Sequence, residues 1–107
     1  MPETPHYDEL CEIYRDGIPC APDFNWTRDV LDVHAVNFPD TLAIHWVAAD
    51  FSQEIKISYS QLSDASHRMA ISLERDHGIK KGDRVMIVMG KQSDWWIAIF
   101  GLMRIGQ

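Results

Sequence analysis

The chain places a glycine and a lysine just before a helical pattern, a combination that can bind phosphate. The segment reads IVMGKQSDWW. Helix N-termini attract anions because their first backbone N–H groups are unpaired. A phosphate loop also needs a glycine five residues before Gly90-Lys91 and a serine or threonine after them, but Gln92 follows, and the chain contains no G-x-G-x-x-G. The pattern therefore predicts a tight turn into a helix capped by Ser93.

Other residue types that do chemistry show no productive spacing. Cys11 and Cys20 are separated by eight residues with no histidine at a ligand spacing, so we expect two reduced, incidental cysteines. There is no G-x-S-x-G, and no triad is suggested by spacing alone. We therefore expect no catalytic, cofactor-binding or metal-binding residue in this chain. The histidines show no H-x-x-x-H pairing and are expected at scattered, surface or half-buried positions: His6, His34, His45, His67 and His77.

Composition indicates one ordinary globular domain with a modest core. The chain has 107 residues, of which 46% are hydrophobic and 24% charged. Its net charge of −6 argues against nucleic acid or an anionic membrane as a partner, because phosphate binding needs clustered basic residues. The single basic cluster, Lys80-Lys81, lies beside a Gly-Asp turn and is expected to be a solvated loop.

The cellular compartment is expected to be the cytosol. No apolar run approaches the roughly 18 residues of a membrane span. The first residues, MPETPHYDELCEIYRDG, are acidic and polar, unlike a secretory signal or an Arg-rich transit peptide, and they resemble a native beginning. Reduced cysteines agree with this location.

The first half of the chain predicts a lead-in, a helix and a hairpin. Residues 1–23 read as an extended lead-in with one short helical piece near residues 8–14. A helix capped by Thr27 then runs to Phe38, where Pro39 stops it. Large side chains alternate over residues 42–47 and again over residues 55–59, which predicts an antiparallel hairpin.

The second half predicts a helix, a strand and another helix. Ser60 begins an amphipathic helix that Gly78 ends in a left-handed conformation. Residues 85–89 form a continuous apolar run, typical of a strand buried on both faces of a parallel sheet. A strand, a helix and a parallel strand make a right-handed crossover, so we expect an α/β fold containing a hairpin and a βαβ-type unit.

The last helix is apolar all around its axis. Trp95, Trp96, Phe100 and Leu102 belong to no single stripe, and a helix of this kind needs burial on nearly every side. Core packing is therefore favoured for the paired tryptophans over a recognition surface. Gly106 supplies a stop signal, and no further strand follows. We therefore expect an α/β unit that is truncated before its layers are complete.

The order of these segments resembles the opening of an AMP-forming acyl-CoA synthetase. The similarity covers about residues 24–107, and the lead-in and the paired tryptophans are most similar to the medium-chain subgroup. The segments that carry it are FNWTRDVLD, FPDTLAIHW, ISYSQLSDASHRMAISLERDHGIKKGDRVMIVM and SDWWIAIFGLMRIG.

The resemblance implies a reaction and a missing site. Such enzymes join ATP to a carboxylic acid, releasing pyrophosphate, and pass the acyl group from the adenylate to coenzyme A, with magnesium accompanying the ATP. The family's phosphate loop, nucleotide and acyl sites and C-terminal lysine lie beyond the position of Gln107, and Lys91 is not the phosphate-loop lysine. The resemblance therefore implies an incomplete N-terminal subdomain at residues 24–107, inactive alone, whose partner is the remainder of the polypeptide.

Two other interpretations stay open from the sequence. One is a short stand-alone interaction module that offers its apolar helix to a partner, because an exposed apolar patch is often a binding site. The other is a nonfunctional product of a shortened gene. The acid substrate, its chain length and the oligomeric state are not encoded in recognisable residues.

Overall fold

The computed structural model describes residues 6–18 and 21–106. The prediction for Cys20 and parts of the predicted lead-in lie outside these residues. Helices form most of the regular structure, and a two-stranded sheet lies between them in the sequence. The elements are helix α1 at Tyr7–Ile13, a π-helical segment at Thr27–Leu31, α2 at Asp32–Asn37, strands β1 at Leu42–Val47 and β2 at Glu54–Ser58, α3 at Tyr59–His77 and α4 at Ser93–Ile105.

Helix α1 confirms the short helical piece predicted in the lead-in. The backbone N–H of His6 donates to Glu9 Oε2 at 3.2 Å, which satisfies one of the unpaired groups at the start of the helix. None of the residues of α1 is buried. This helix therefore adds no fully buried side chain to the core.

The second predicted helix is present, but Thr27 does not cap it. The side-chain oxygen of Asn25 accepts from the backbone N–H groups of Thr27 at 3.1 Å and Arg28 at 3.3 Å. Asp29 accepts from the backbone N–H of Asn25 at 2.8 Å. The Arg28 guanidinium and this backbone bond lower the pKa of Asp29 to about 2. The Thr27 hydroxyl is buried and instead donates to the Phe100 carbonyl at 3.3 Å, so a tertiary contact overrides the local cap.

The antiparallel hairpin is confirmed. Strand β1 pairs with β2 from Leu42 opposite Ser58 to Val47 opposite Glu54, with an irregularity near the start of β1. The intervening turn includes Phe51, whose φ of 60° is uncommon for a residue with a side chain. On the exposed face His45 Nε2 lies 2.8 Å from a Glu54 carboxylate oxygen. The hairpin leads directly into α3.

Helix α3 begins one residue earlier than the sequence predicted and has a better cap. Ser58 accepts from the backbone N–H of Gln61 at 3.2 Å, and the Gln61 side chain accepts from the Ser58 N–H at 2.9 Å. This reciprocal pair is a capping box, shifted two residues from the predicted start at Ser60. Gly78 ends the helix with a φ of 66°, as predicted.

The cap of α3 gives a prediction that distinguishes a helix capped by Ser58 from one capped by Ser60. Replacing Ser58 with alanine is expected to lower the free energy of unfolding by about 1 kcal/mol, because the N–H of Gln61 loses its acceptor. The matched Ser60→Ala variant is expected to change it by less than about 0.3 kcal/mol, because the serine-to-alanine change there removes no cap. Urea unfolding followed by circular dichroism measures both. Equal losses would contradict the capping box.

The strand predicted at residues 85–89 is not formed. The one sheet among the described residues contains only β1 and β2, so the predicted βαβ-type crossover is wrong. A strand exists only when its backbone groups pair with a neighbour, and neither described strand pairs with this segment. Met86 is 86% exposed and Val88 84% exposed, which also contradicts burial on both faces.

The core lies where the π-helical segment, α3 and α4 meet. Its buried apolar side chains are Leu31, Leu62, Ala70 and Leu102. Gly101 allows α4 to approach α3 closely, because a Cβ atom there would lie 2.6 Å from Cγ of Met69. The mixture of helices with one small sheet confirms a partial α/β domain.

Helix α4 begins and ends near its predicted limits. Gln92 precedes the first turn, and Ser93 is the first helical residue, so the predicted Ser93 cap is wrong by one position. Gly106 follows the last turn with a φ of 104°, which confirms the stop signal. The burial that the all-round apolar pattern predicted is incomplete: Gly101 and Leu102 are buried, whereas Trp96 is 45% exposed.

Candidate functional site

The Gly90-Lys91 turn is held in place by its backbone. The N–H of Gln92 donates to the Gly90 carbonyl at 2.9 Å, and the Lys91 carbonyl accepts from the indole N–H of Trp46 at 2.6 Å. The turn thus connects β1 to the start of α4. Its polar backbone atoms stabilise this junction, as the predicted tight turn requires.

An apolar groove lies beside this turn. It has a volume of about 450 Å³. The rings of Trp95 and Trp96 meet edge to face with centroids 4.8 Å apart. The walls can bury an apolar ligand or side chain, and the lining offers no carboxylate, imidazole or thiol for catalysis. Its lining residues are Trp46, Val47, Met89, Gly90, Lys91, Gln92, Trp95 and Trp96.

A second cluster lies inside the helical layer and consists of polar side chains. Arg104 forms a two-pronged ion pair with Asp32, with nitrogen–oxygen distances of 2.6 and 2.8 Å. Arg104 also donates to the Ser66 hydroxyl at 2.7 Å, and the Ser63 hydroxyl donates to Asp32 at 2.7 Å. The Arg104 side chain is 12% exposed and that of Asp32 is 25% exposed. We call Asp32, Ser63, Ser66 and Arg104 the polar cluster.

The polar cluster favours the ionised form of its carboxylate. Hydrogen bonds from Arg104 lower the pKa of Asp32 below its usual value, and the bond from Ser63 acts in the same direction. His67 Nε2 lies 3.6 Å from the same carboxylate. Because both carboxylate oxygens accept hydrogen bonds, Asp32 has little capacity to act as a general base.

The hydrogen bonds of the polar cluster therefore link three helices. Asp32 lies on α2, Ser63 and Ser66 on α3, and Arg104 on α4. Asn25 adds a further link, because its side-chain amide donates to the Met103 carbonyl at 2.8 Å near the end of α4. Hydrogen bonds between charged groups are stronger than neutral ones, so the cluster sets the spacing of the helices.

Sequence reasoning missed this cluster. Asp32 and Arg104 are 72 residues apart, and neither belongs to a recognised motif. The signal that was available is Arg104 itself, a charge between Met103 and Ile105 near the end of an apolar helix. A charged group rarely enters such surroundings without a partner.

Side chains of the types that ligate metals are scattered over the described residues. Across residues 6–18 and 21–106, no group of three histidine, cysteine or acidic side chains is arranged to hold a metal. All five histidines are exposed, which confirms their predicted scattered surface positions, and Cys11 is exposed with a free thiol. Within the same residues, no helix is both long and apolar enough to cross a membrane.

Comparison with known proteins gives the family. The AMP-binding enzyme family matches residues 31–107. The chain is 35% identical over 88 residues to acyl-coenzyme A synthetase ACSM5, mitochondrial, of Rattus norvegicus, covering 78% of this chain and 15% of the relative. For the Mus musculus protein of the same name the identity is 32% over 111 residues, covering 99% and 19%.

A relative from outside the animals is also named as a CoA ligase. The chain is 34% identical over 84 residues to 4-hydroxybutyrate--CoA ligase 1 of Metallosphaera sedula, covering 78% of this chain and 15% of the relative. The chain thus spans less than a fifth of the length of these curated relatives. These matches confirm the resemblance read from the ordered sequence motifs. The chain belongs to the AMP-binding enzyme family, with acyl-coenzyme A synthetases among its relatives.

Proposed function

We propose that residues 24–107 form an N-terminal scaffold subdomain of an AMP-forming acyl-CoA synthetase, with residues 1–23 as its lead-in. The reaction of the whole enzyme joins a carboxylic acid, ATP and coenzyme A to give acyl-CoA, AMP and diphosphate through an acyl-adenylate. The observation that carries the proposal is the polar cluster. Its charged side chains pair with each other across three helices of a family member, as groups that hold a scaffold together do.

The chemistry of adenylation explains why the chain is proposed to be inactive alone. The transition state develops charge on phosphate oxygens, which needs positioned cations or backbone N–H groups. Lys91 stands at a turn whose neighbouring backbone atoms are engaged with Trp46 and with each other. ATP, magnesium, coenzyme A and the carboxylic acid therefore belong, in this proposal, to the whole enzyme, and no catalytic, cofactor-binding or metal-binding residue is assigned here.

The partner in this proposal is the remainder of an acyl-CoA synthetase polypeptide. Two observations support it. The relatives are more than five times as long as the matched segment, and Met86, Val88 and Trp96 present large apolar side chains to solvent. Covering such side chains is favourable by about 25 cal/mol for each Å² of apolar surface removed from water.

One observation favours a second function, that of an interaction module. The apolar groove beside Trp46 and Trp96 has the size of a small ligand site and is open to another protein. A chain of this kind melts cooperatively as a folded unit without further residues. A scaffold subdomain that depends on other segments exposes its apolar surface and binds a hydrophobic dye.

Measuring AMP release tests the proposed function. The purified chain is incubated with Mg-ATP, coenzyme A and a panel of straight-chain carboxylic acids of increasing length. The expected result is no acid-dependent AMP above a blank without protein, because the proposal assigns no nucleotide-binding group to this chain. Acid-dependent AMP release that increases with the amount of chain would contradict the proposal.

A cytosolic location belongs to the same proposal. The two ACSM5 relatives carry the word mitochondrial in their names, which makes the mitochondrion the competing location. Fractionation of source cells distinguishes the two locations. Recovery of the chain with mitochondria would overturn the cytosolic proposal.

A further inference from the structure

Strand β2 has a backbone edge that faces away from β1. The sheet formed by the described residues contains only these two strands. The Ala48 N–H donates to the Gln53 carbonyl at 2.9 Å, so the carbonyl of Gln53 is directed at β1. Backbone direction alternates along an antiparallel pair, which directs the N–H and C=O groups of Glu54 and Lys56 away from β1. Such an edge is a template for pairing with another strand.

The outer edge of β2 is accessible to solvent. Glu54, Ile55 and Lys56 are all exposed, and Ile55, which lies opposite Trp46 in the hairpin, is 44% exposed. The next outward-directed N–H group, that of Ser58, donates to the Gln61 side chain in the cap of α3. The part of the edge that can accept a new strand is therefore centred on Ile55.

The charges of β2 are complementary to themselves in one antiparallel register. With Ile55 opposite Ile55 of a second copy, Glu54 of each chain lies opposite Lys56 of the other. Because hydrogen-bonded pairing must join outward-directed residues, the register can change only in steps of two residues. One step in either direction places Glu54 opposite Glu54 or Lys56 opposite Lys56. Opposite charges across a pair are stabilising and like charges destabilising, so one register is favoured over its neighbours.

The hairpin can keep its own contacts when this pairing forms. On its exposed face, His45 Nε2 lies 2.8 Å from Oε2 of Glu54. A carboxylate accepts through two oxygens, so Oε1 can accept from a lysine of a second copy. Strand β1, in contrast, contains no acidic residue and no lysine or arginine, and it offers no register of this kind. Charge complementarity therefore points to β2 as the pairing strand.

We propose that two copies of this chain associate through strand β2, which pairs antiparallel with itself about a two-fold axis at Ile55 and forms a four-stranded sheet. A two-fold interface uses the same patch on both copies, and this register satisfies that requirement. A lysine on an edge usually discourages pairing, and here Glu54 of the second copy offsets the charge of Lys56. The inference goes beyond the proposed scaffold role and does not rest on it.

Two charge reversals test the register. Sedimentation equilibrium of the unmodified chain is expected to show reversible dimers of twice the 12.3 kDa chain mass. Lys56→Glu places like charges opposite each other twice in each dimer, and we expect its dissociation constant to rise about tenfold. Glu54→Lys is expected to have a similar effect. The matched control Lys81→Glu, in the loop after α3, makes the same charge change away from β2 and is expected to leave dimerisation unchanged.

Mixing the two variants separates strand pairing from a general loss of structure. A dimer of one Lys56→Glu chain and one Glu54→Lys chain has opposite charges across both pairs, so the mixture is expected to recover most of the affinity. Both variants keep a net negative charge, so general attraction between them does not explain such recovery. A mixture that associates no better than either variant alone would overturn the proposal.

Hydrogen exchange locates the contact directly. The N–H groups of Glu54 and Lys56 are expected to exchange more slowly as the chain concentration rises through the dissociation constant, because pairing gives them acceptors. The N–H of Ile55, directed at β1, is expected to change less. A chain that stays monomeric at all concentrations would contradict the inference. Dimers whose dissociation is unchanged by Lys56→Glu, or whose new protection lies outside β2, would contradict it too.

Discussion

Replacing Arg104 with leucine is expected to lower the free energy of unfolding by about 2–4 kcal/mol. The change removes a two-pronged ion pair and leaves the Asp32 carboxylate, 25% exposed, with only Ser63 and the more distant His67 as neighbours. Removing one member of a fully buried pair typically costs about 3–5 kcal/mol, and partial solvent access to Asp32 reduces that figure. Urea unfolding of both proteins, monitored by tryptophan fluorescence, measures the loss.

An exposed ion pair provides the matched control. Arg68 pairs with Asp64 at 2.9 Å one helical turn away on α3, with both side chains more than 60% exposed. Arg68→Leu is expected to change the free energy of unfolding by less than about 0.5 kcal/mol, since water already solvates both charges. If Arg104→Leu destabilised the chain no more than this control, the polar cluster would not tie the helices together.

The same ion pair predicts a dependence of stability on pH. Because the pKa of Asp32 is lower in the folded chain than in the unfolded chain, the stability it contributes is fully present above the unfolded value. That contribution is lost as the pH falls through the lower, folded pKa. Acid titration of the free energy of unfolding is therefore expected to show a shallower decline below pH of about 4 in Arg104→Leu than in the unmodified chain.

Replacing Gly101 with valine is expected to lower the free energy of unfolding by about 2–3 kcal/mol. A Cβ atom at this position would lie 2.6 Å from Cγ and 2.9 Å from Cβ of Met69, and 3.4 Å from the backbone nitrogen of Ala70. The two helices must separate to accept it, and overpacking of this kind typically costs about 1–3 kcal/mol. Thermal and urea unfolding measure the effect.

Two further variants isolate the helix contact. Gly90→Val is the matched control, because a Cβ atom at Gly90 meets no atom within 4 Å, and we expect a change below about 0.5 kcal/mol. Adding Met69→Ala to Gly101→Val removes Cγ, the closest atom, and is expected to recover part of the loss. Equal stability of the Gly101 and Gly90 variants would show that α3 and α4 do not approach as closely as described.

Local patterns predicted the elements whose causes are local. The hairpin followed from alternation along residues 42–47 and 55–59, and both limits of α3 were within two residues of those observed. Gly78 and Gly106 were recognised as helix ends because a left-handed cap favours glycine. Cap positions were less accurate, since Asn25 and Ser58 compete with neighbouring Thr27 and Ser60 for the same role.

Features that depend on distant residues were not predictable from one sequence. The apolar run at residues 85–89 has the composition of a buried strand, but whether it enters a sheet depends on a partner that composition does not reveal. Thr27 was expected to be a cap, and instead its hydroxyl contacts Phe100, 73 residues away. The Asp32–Arg104 pair is also invisible to periodicity, because nothing local connects α2 with the end of α4.

The central proposal is that this member of the AMP-binding enzyme family serves as a scaffold and has no adenylation site of its own. Its most direct test is a single-turnover experiment with the chain in excess over ATP labelled at the α-phosphate, together with Mg²⁺ and each acid of the panel. Quenched samples are analysed for acyl-adenylate. The account predicts that all label remains in ATP at every time and with every acid. Acyl-adenylate that forms in proportion to the amount of chain would contradict the account. The contradiction requires that this product be absent when the destabilised Arg104→Leu variant, purified identically, replaces the chain.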